Sequence, residues 1–268
     1  METFELTEKV LGIDLAPGIK RLGVAVIHDG ASHSVPVFFK AERLVRKVMR
    51  IQKEIDRLEH KIDEAYIRKD FDRIPHLVAE QRRRRNKTRN LRKQILETFV
   101  NEVILVAITN DCNVIVIENL SGIKVPEWRN KALRFLFSQW FYSRFEAKLR
   151  QKAKLHGIKV MSIKPYGTSV YCSTCGNKLS GKGLHLECKT CKKTWDRDYN
   201  AAVNVAVKGF KITTGRGQAE GQCSEAVRLN EPLRLTPRPT VEVEKADCSY
   251  HADCLSQSGK GFHTCSSD

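Results

Sequence analysis

Apolar residues cluster early in two runs, at 10–15 and 22–27, separated by the turn residues Pro17 and Gly18. Nearly unbroken apolar runs of this length, punctuated by Pro and Gly, predict strands of a buried sheet. Asp14 is the exception in the first run. A third strand is predicted at Val35 to Lys40. The pattern then changes period. Leu44, Val48, Ile51, Ile55, Leu58 and Ile62 recur at three- and four-residue steps, which marks one face of a helix. A second helix is predicted from about Pro75 past Gln94, so that the pair reads as a helical hairpin. Apolar positions continue from Ile95 through Val106 and end near Asn110. A short buried strand follows at Val114 to Ile117 and closes on Glu118.

Residues 131–156 have the pattern of an amphipathic helix, with Leu133, Leu136, Phe137, Trp140, Phe141 and Leu149 on one side. One-sided helical periodicity makes these aromatics core rather than a platform for stacked bases. Gly157 is a helix stop, and IKVMSIKP a further strand. A final helix is expected from 195 to 208. Beyond Lys208 periodicity is lost, and TTGRGQAEGQ and EPLRLTPRPT are rich in Gly, Pro and charge. The segment 209–268 therefore reads as a disordered tail, and its CSYHADC and HTC cysteines lack a regular ligand frame.

Charge adds a partner class to this α/β pattern. The chain of 268 residues has a formal net charge of +16. A positive field of this size favours polyanions, through attraction to phosphates and release of their counterions. The charge is clustered. The segment QRRRRNKTRNLRK carries eight basic residues and no acid, making Arg82, Arg83, Arg84, Arg85, Lys87, Arg89, Arg92 and Lys93 candidate nucleic-acid contacts. No basic n-region leads into an apolar stretch at the start, and no apolar run approaches the roughly 20 residues of a membrane span. The expectation is a soluble, cytoplasmic protein with no membrane partner, associated with the nucleoid in a prokaryote.

Four of the nine cysteines form the frame C-x2-C-x12-C-x2-C, at Cys172, Cys175, Cys188 and Cys191. Two such knuckles supply four thiolates in a tetrahedron, the closed arrangement that suits a structural zinc ion. A closed site leaves the metal no open position for chemistry. The chain then runs into Asp196 and Asp198 at the start of the last helix. Asp14 and Glu118 each end or interrupt a buried apolar strand, where an unpaired carboxylate costs several kcal/mol. Three carboxylates on separate elements of one sheet can converge and hold two hard cations such as Mg²⁺ or Mn²⁺. Two such ions about 4 Å apart can activate water and stabilise the leaving oxygen at a phosphodiester. Asp196 is the candidate helix cap.

GIDL near the start, VIVIENLSGIK in the middle and YGTSVYCSTCG…CKTCKKTWDRDYNAAVNVA near the end resemble the TnpB (OrfB) proteins, transposon-associated RNA-guided DNA endonucleases long described as transposases with a zinc ribbon. The type V CRISPR effectors are similar in the same three segments. The resemblance runs from about Leu11 to Val207. It implies an RNase H-like, RuvC-like mixed sheet with an inserted helical hairpin and an inserted zinc ribbon. In that division 1–40 and 101–168 are the first two parts of the RuvC-like domain, 41–100 the basic hairpin, 169–194 the ribbon and 195–208 the final helix. It implies Asp14, Glu118 and Asp198 as catalytic carboxylates holding Mg²⁺ or Mn²⁺, the four cysteines as zinc ligands, and DNA and guide RNA as partners. Family members usually carry a large N-terminal part before the first strand, where this chain has about ten residues; a partner supplying that part, or self-association, is the corresponding expectation. The function expected is metal-dependent DNA cleavage linked to a transposon. The alternative is a non-cleaving nucleic-acid-binding regulator or accessory subunit of the same descent. A junction nuclease of the same fold and a strand-transferring transposase fit the ribbon beside the last acid less well.

Overall fold

The computed structural model describes residues 9–16, 18–119, 134 and 136–215, with the side chains of Gln139 and Trp140 left aside. Pro17, Leu133 and the cysteines of CSYHADC and HTC lie outside the described residues, as does the SGIK end of VIVIENLSGIK.

Among the described residues, eight strands and four long helices follow one another in the order β1 (Val10–Asp14), β2 (Gly23–His28), β3 (Val37–Phe39), α1 (Glu42–Ile67), α2 (Ile74–Thr109), β4 (Val114–Glu118), α3 (Gln139–Leu155), β5 (Lys159–Ile163), β6 (Ser180–Lys182), β7 (His185–Cys188), β8 (Lys193–Asp196) and α4 (Arg197–Thr213). Five strands make one mixed sheet in the order β3-β2-β1-β4-β5. β1, β2 and β3 form an antiparallel meander, while β4 and β5 join parallel to β1. The architecture is thus α/β with a mixed sheet. β6, β7 and β8 form a separate antiparallel sheet around the cysteines.

The main sheet is covered on both faces, and the strand period of two sorts its residues between them. Leu11, Ile13, Ala25, Ile115 and Ile117 pack with Phe99 and Val103 of α2 and with Phe141, Phe145 and Leu149 of α3. The alternate positions look the other way. Val10, Val114 and Val116 meet Val205 and Phe210 of α4, and Val24 and Val26 meet Ala202 and Val203. Asp14 follows Gly12 by two residues and Glu118 follows Val116 by two, so both carboxylates belong to the α4 face.

Small residues let α4 lie almost on the backbone of the sheet. A Cβ on Gly12 would stand 2.3 Å from the Ala206 nitrogen, and one on Gly209 would stand 2.3 Å from a Val116 methyl. The helix is fixed in depth at β1 and at β4.

Four boundaries differ from those the sequence predicts. The helix expected over 131–156 is α3, which begins at Gln139 because the chain is extended at its N-cap, Ser138. The division at 100/101 falls inside α2, one 36-residue helix. Its apolar stripe of Leu91, Ile95, Phe99 and Val103 runs unbroken from the hairpin onto the sheet, and nothing in it can stop the helix. β8 ends at Asp196, so the cysteine module extends past 194, because Trp195 fills its small core. The last helix begins at Arg197 and continues to Thr213, past the predicted stop at 208. Phe210 anchors this extra turn against the His28 ring, 5.0 Å between centroids, beside Gly30.

Gly12→Ala is expected to lower stability by about 2 kcal/mol or more, because a clash with helix backbone cannot be relieved by rotating a side chain. Urea denaturation should show a lower midpoint with an unchanged m-value.

Candidate carboxylate site and cysteine module

Asp14 and Glu118 end neighbouring parallel strands, with Ile13 opposite Ile117 in register. Asp198 lies in the first turn of α4, which α4's packing on Gly12 carries to the same end of the sheet. The structure therefore brings the three acids named from the sequence to one place. They form an open cluster: among the described residues, the group of ligand atoms all within 4.8 Å of one another is that of the cysteines. Burial pushes the Asp14 carboxyl well above the usual carboxylate range, and the charges of Glu118 and Asp198 push it the same way, against the opposing pull of Arg197 and Arg21. Burial likewise raises Glu118, opposed by a hydrogen bond from Thr168 and by the charge of Lys208. Mutual repulsion of buried oxygens is the condition that a divalent cation relieves. The donor set, all carboxylate, suits a hard ion.

The cap expected at Asp196 is present, and Arg21, Arg197, Thr168 and Tyr142, which the sequence did not single out, complete the site. Asp196 caps α4, its Oδ1 accepting the amides of Asp198 at 3.0 Å and Tyr199 at 3.1 Å. Its Oδ2 accepts two nitrogens of Arg21, at 2.9 and 3.0 Å. The Nε of Arg21 stands 3.1 Å from Asp198 Oδ2, and the Nε of Arg197 donates to Asp198 Oδ1 at 3.2 Å. Asp198, 3% exposed, is thereby buried with both oxygens satisfied. Thr168 donates from Oγ1 to Glu118 Oε1 at 2.5 Å. Tyr142 of α3 is pushed up to about 12 by burial and by the charge of Asp14. Arg21 lies 175 positions from Asp196, and no periodicity or motif in the sequence joins such residues.

The four cysteines meet as a group. Cys172 and Cys191 sulfurs lie 3.9 Å apart, and those of Cys175 and Cys188 lie 3.5 Å apart. Four sulfurs at roughly 2.3 Å from a common centre would be separated by about 3.8 Å, so the group could hold a tetrahedral zinc ion. Gly176 takes a φ of +73° to turn the first knuckle, and Lys192 takes +55° just after the second pair. Hydrogen bonding by Cys175 and burial push the Cys191 thiol up to about 12. Four sulfurs this close do not all ionise without a cation between them.

Two asparagines of α4 bind the module to the helix. Asn200, fully buried, accepts the Ser173 amide at 2.9 Å and donates to Tyr171 O at 2.8 Å. Asn204 donates to Tyr171 O at 2.8 Å and to Thr168 O at 2.7 Å.

The basic run of α2 is divided by its fold. Arg84 pairs with Glu54 and Arg85 with Glu59, each at 2.9 Å, and Arg83 with Glu80 at 3.4 Å. The run carries no acid of its own, but α1 and the preceding turn of α2 bring acids to it. Arg92 is buried, donating to Leu136 O at 3.2 Å and Ser138 Oγ at 2.5 Å; burial pulls its guanidinium down to about 10. Arg82, Lys87, Arg89 and Lys93 are exposed. Arg89, Arg92 and Lys93 line a groove of about 520 Å³ with Arg144 and Lys148 of α3, against one acid, Glu97. Among the described residues, no helix is long and apolar enough to cross a membrane.

The model of the Cas12f1-like TNB domain matches residues 142–205, from α3 through the cysteine module into α4. The CRISPR-associated endodeoxyribonuclease Cas12f1 of Sulfoacidibacillus thermotolerans is 31% identical over 210 residues, which are 76% of this chain and 48% of that protein. The TnpB-like protein L79 of Acanthamoeba polyphaga mimivirus is 33% identical over 81 residues, 30% of this chain and 16% of that one. Among solved structures, a CRISPR-Cas12f ternary complex aligns with 74% of this chain and 38% of its own at a TM-score of 0.55 and 22% identity. A Cas12f1-sgRNA-target DNA complex aligns with 74% and 49% at a TM-score of 0.51 and 21% identity. These two share the fold. The chain spans about half the length of the Sulfoacidibacillus relative, and less of the others.

The carboxylate electrostatics set a pH dependence. A carboxyl whose folded pKa is raised favours the fold below its unfolded pKa, near 4, and loses that contribution as pH rises through the folded value. Asp14→Asn is therefore expected to melt at a higher temperature than wild type at pH 7 in buffer without added divalent ion. The gain should vanish below about pH 4. Thermal melts across this range check both statements.

Proposed function

We propose that this chain, which its relatives place in the TnpB-like type V effector family, is the nuclease core of a metal-dependent DNA endonuclease. Its main sheet would be the RNase H-like, RuvC-like domain and its cysteine module a zinc ribbon. The observation that carries the reading is the meeting of Asp14, Glu118 and Asp198 at one end of the sheet, with Asp14 raised by burial and then by the charges of the other two. The relatives named as endodeoxyribonucleases support it.

Asp14, Glu118 and Asp198 would hold two Mg²⁺ or Mn²⁺ ions, which when bound supply an activated water and stabilise the leaving oxygen of a phosphodiester. The residues around them do the positioning. Asp196 fixes the first turn of α4 and so the direction of the Asp198 carboxylate. Thr168 orients Glu118 and favours its ionised form. Arg21 ties the start of α4 to the turn between β1 and β2. Zinc at Cys172, Cys175, Cys188 and Cys191 would be structural, holding a module whose own apolar core is five buried residues.

The groove between α2 and α3 is the proposed track for a nucleic-acid backbone. Of the basic run, Arg89, Arg92 and Lys93 face it, joined by Arg144 and Lys148, which are absent from the run. Arg82 and Lys87 are exposed and could add contacts. Arg83, Arg84 and Arg85, paired with acids, would contribute less. DNA and a guide RNA are the partners proposed, with the rest of the machinery supplied by a further segment, a partner or a second copy.

End-labelled single- and double-stranded DNA with Mg²⁺ or Mn²⁺ tests the activity. Cleavage by the chain, reduced about 100-fold or more by either Asp14→Ala or Asp198→Ala, is the expected result. Binding without cleavage, unchanged by both substitutions, would favour a non-cleaving regulator or accessory subunit. Cys188→Ala should release zinc, measured by elemental analysis, and lower metal-dependent cleavage as well as stability. Arg89→Glu with Lys93→Glu should weaken DNA binding and flatten its salt dependence by about two phosphate contacts.

A further inference from the structure

Thr168 and Asn200 are neither carboxylates nor cysteines, yet each touches one of the two sets. Thr168, 2% exposed, donates its single hydroxyl proton toward Glu118 Oε1 at 2.5 Å, with Pro165 O a longer alternative at 3.1 Å. Ser173 stands between Cys172 and Cys175, and its amide donates to Asn200 Oδ1 at 2.9 Å. The other end of the same amide group donates to Tyr171 O at 2.8 Å and reaches Thr168 O at 3.5 Å. Asn204, one turn along α4, donates to the same two carbonyls. The segment 168–171 is thus gripped by its carbonyls from α4, while its first side chain holds Glu118 and its far end begins the first knuckle.

A module that takes its fold from a bound ion has two states, ordered and loose. Ordered, it presents the Ser173 amide to Asn200. Loose, it leaves Asn200 with an unpaired buried oxygen, which favours rearrangement. Such an element is what coupling between two sites requires.

We infer that Asn200 and Thr168 are positioning residues through which occupancy of the cysteine module governs how Glu118 binds a divalent cation. This rests on the reading of Asp14, Glu118 and Asp198 as a cation site. It deepens that reading by giving the module a route to Glu118, the acid at the end of β4, and not only to Asp198 on the helix it leads into. The neighbouring route, from β8 through the Asp196 cap to Asp198, does not pass through Thr168. Substituting Thr168 therefore separates the two.

The test measures Mn²⁺ affinity by electron paramagnetic resonance on the full chain, zinc-loaded and zinc-depleted, for wild type, Thr168→Val and Thr168→Ser. Valine keeps the shape and removes the hydroxyl; serine restores it. Groups hydrogen-bonded to a metal ligand typically change affinity ~10-fold or more. Zinc depletion is expected to weaken Mn²⁺ binding about 10-fold in wild type and in Thr168→Ser. Thr168→Val should bind Mn²⁺ weakly from the start and lose less than about threefold on depletion, because the link is already cut. In the zinc-loaded state the Glu118 pKa, followed by carboxyl-carbon NMR, should rise in Thr168→Val and return in Thr168→Ser. Equal loss on depletion in wild type and Thr168→Val would overturn the inference while leaving the cation site intact. Mn²⁺ binding indifferent to an Asp14→Asn control would overturn the cation site and the inference with it.

Discussion

The contact of α4 with the backbone of β1 and β4 is the constraint on which the site depends. Gly12 lies under Ala206 and Gly209 over Val116, with no room for a Cβ at either. A helix this close has its depth set by backbone rather than by side chains that can rotate. Asp198 stands two turns before Ala206 and is delivered to the end of the strands where Asp14 and Glu118 lie. The strand period puts those two acids on the face that the helix covers. A Cβ at Gly12 or Gly209 would press α4 outward and carry Asp198 away from the strand ends.

The same helix is also the seat of the cysteine module. β8 ends on Asp196, whose side chain caps the helix it leads into, and Asn200 and Asn204 hold the carbonyls of the module's entry segment. One helix therefore carries a carboxylate of the acidic set at its first turn and the module along its next two. The module is not an appendage clipped to the sheet; its fold and the position of Asp198 share hydrogen bonds.

Charge is handled locally rather than by the whole-chain excess. A net +16 says that polyanions are attracted, but at the acids it is Arg21 and Arg197 that satisfy Asp198. In the hairpin the guanidinium groups of Arg83, Arg84 and Arg85 are paired with Glu80, Glu54 and Glu59. Between α2 and α3, residues about fifty positions apart line one groove in which five basic side chains meet one acid, Glu97, itself paired with Lys148.

Legible in the chain alone were strands at 10–15 and 22–27, observed as Val10–Asp14 and Gly23–His28, the helical hairpin, the α/β class and the cysteine frame, because each rests on local periodicity or on ligand spacing within a few residues. Asp14 and Glu118 stood out because a carboxylate in a buried apolar run carries its own physical cost. Their company was not legible. Arg21 beside Asp196, Thr168 beside Glu118, Asn200 beside Ser173 and Glu54 beside Arg84 are pairs made by packing, between residues that no period connects. The 36-residue length of α2 and the extension of α4 to Thr213 were settled in the same way, by the neighbours that Phe99 and Phe210 found. Local pattern fixes what each segment can bury; only the assembled layers decide which polar groups that burial forces together.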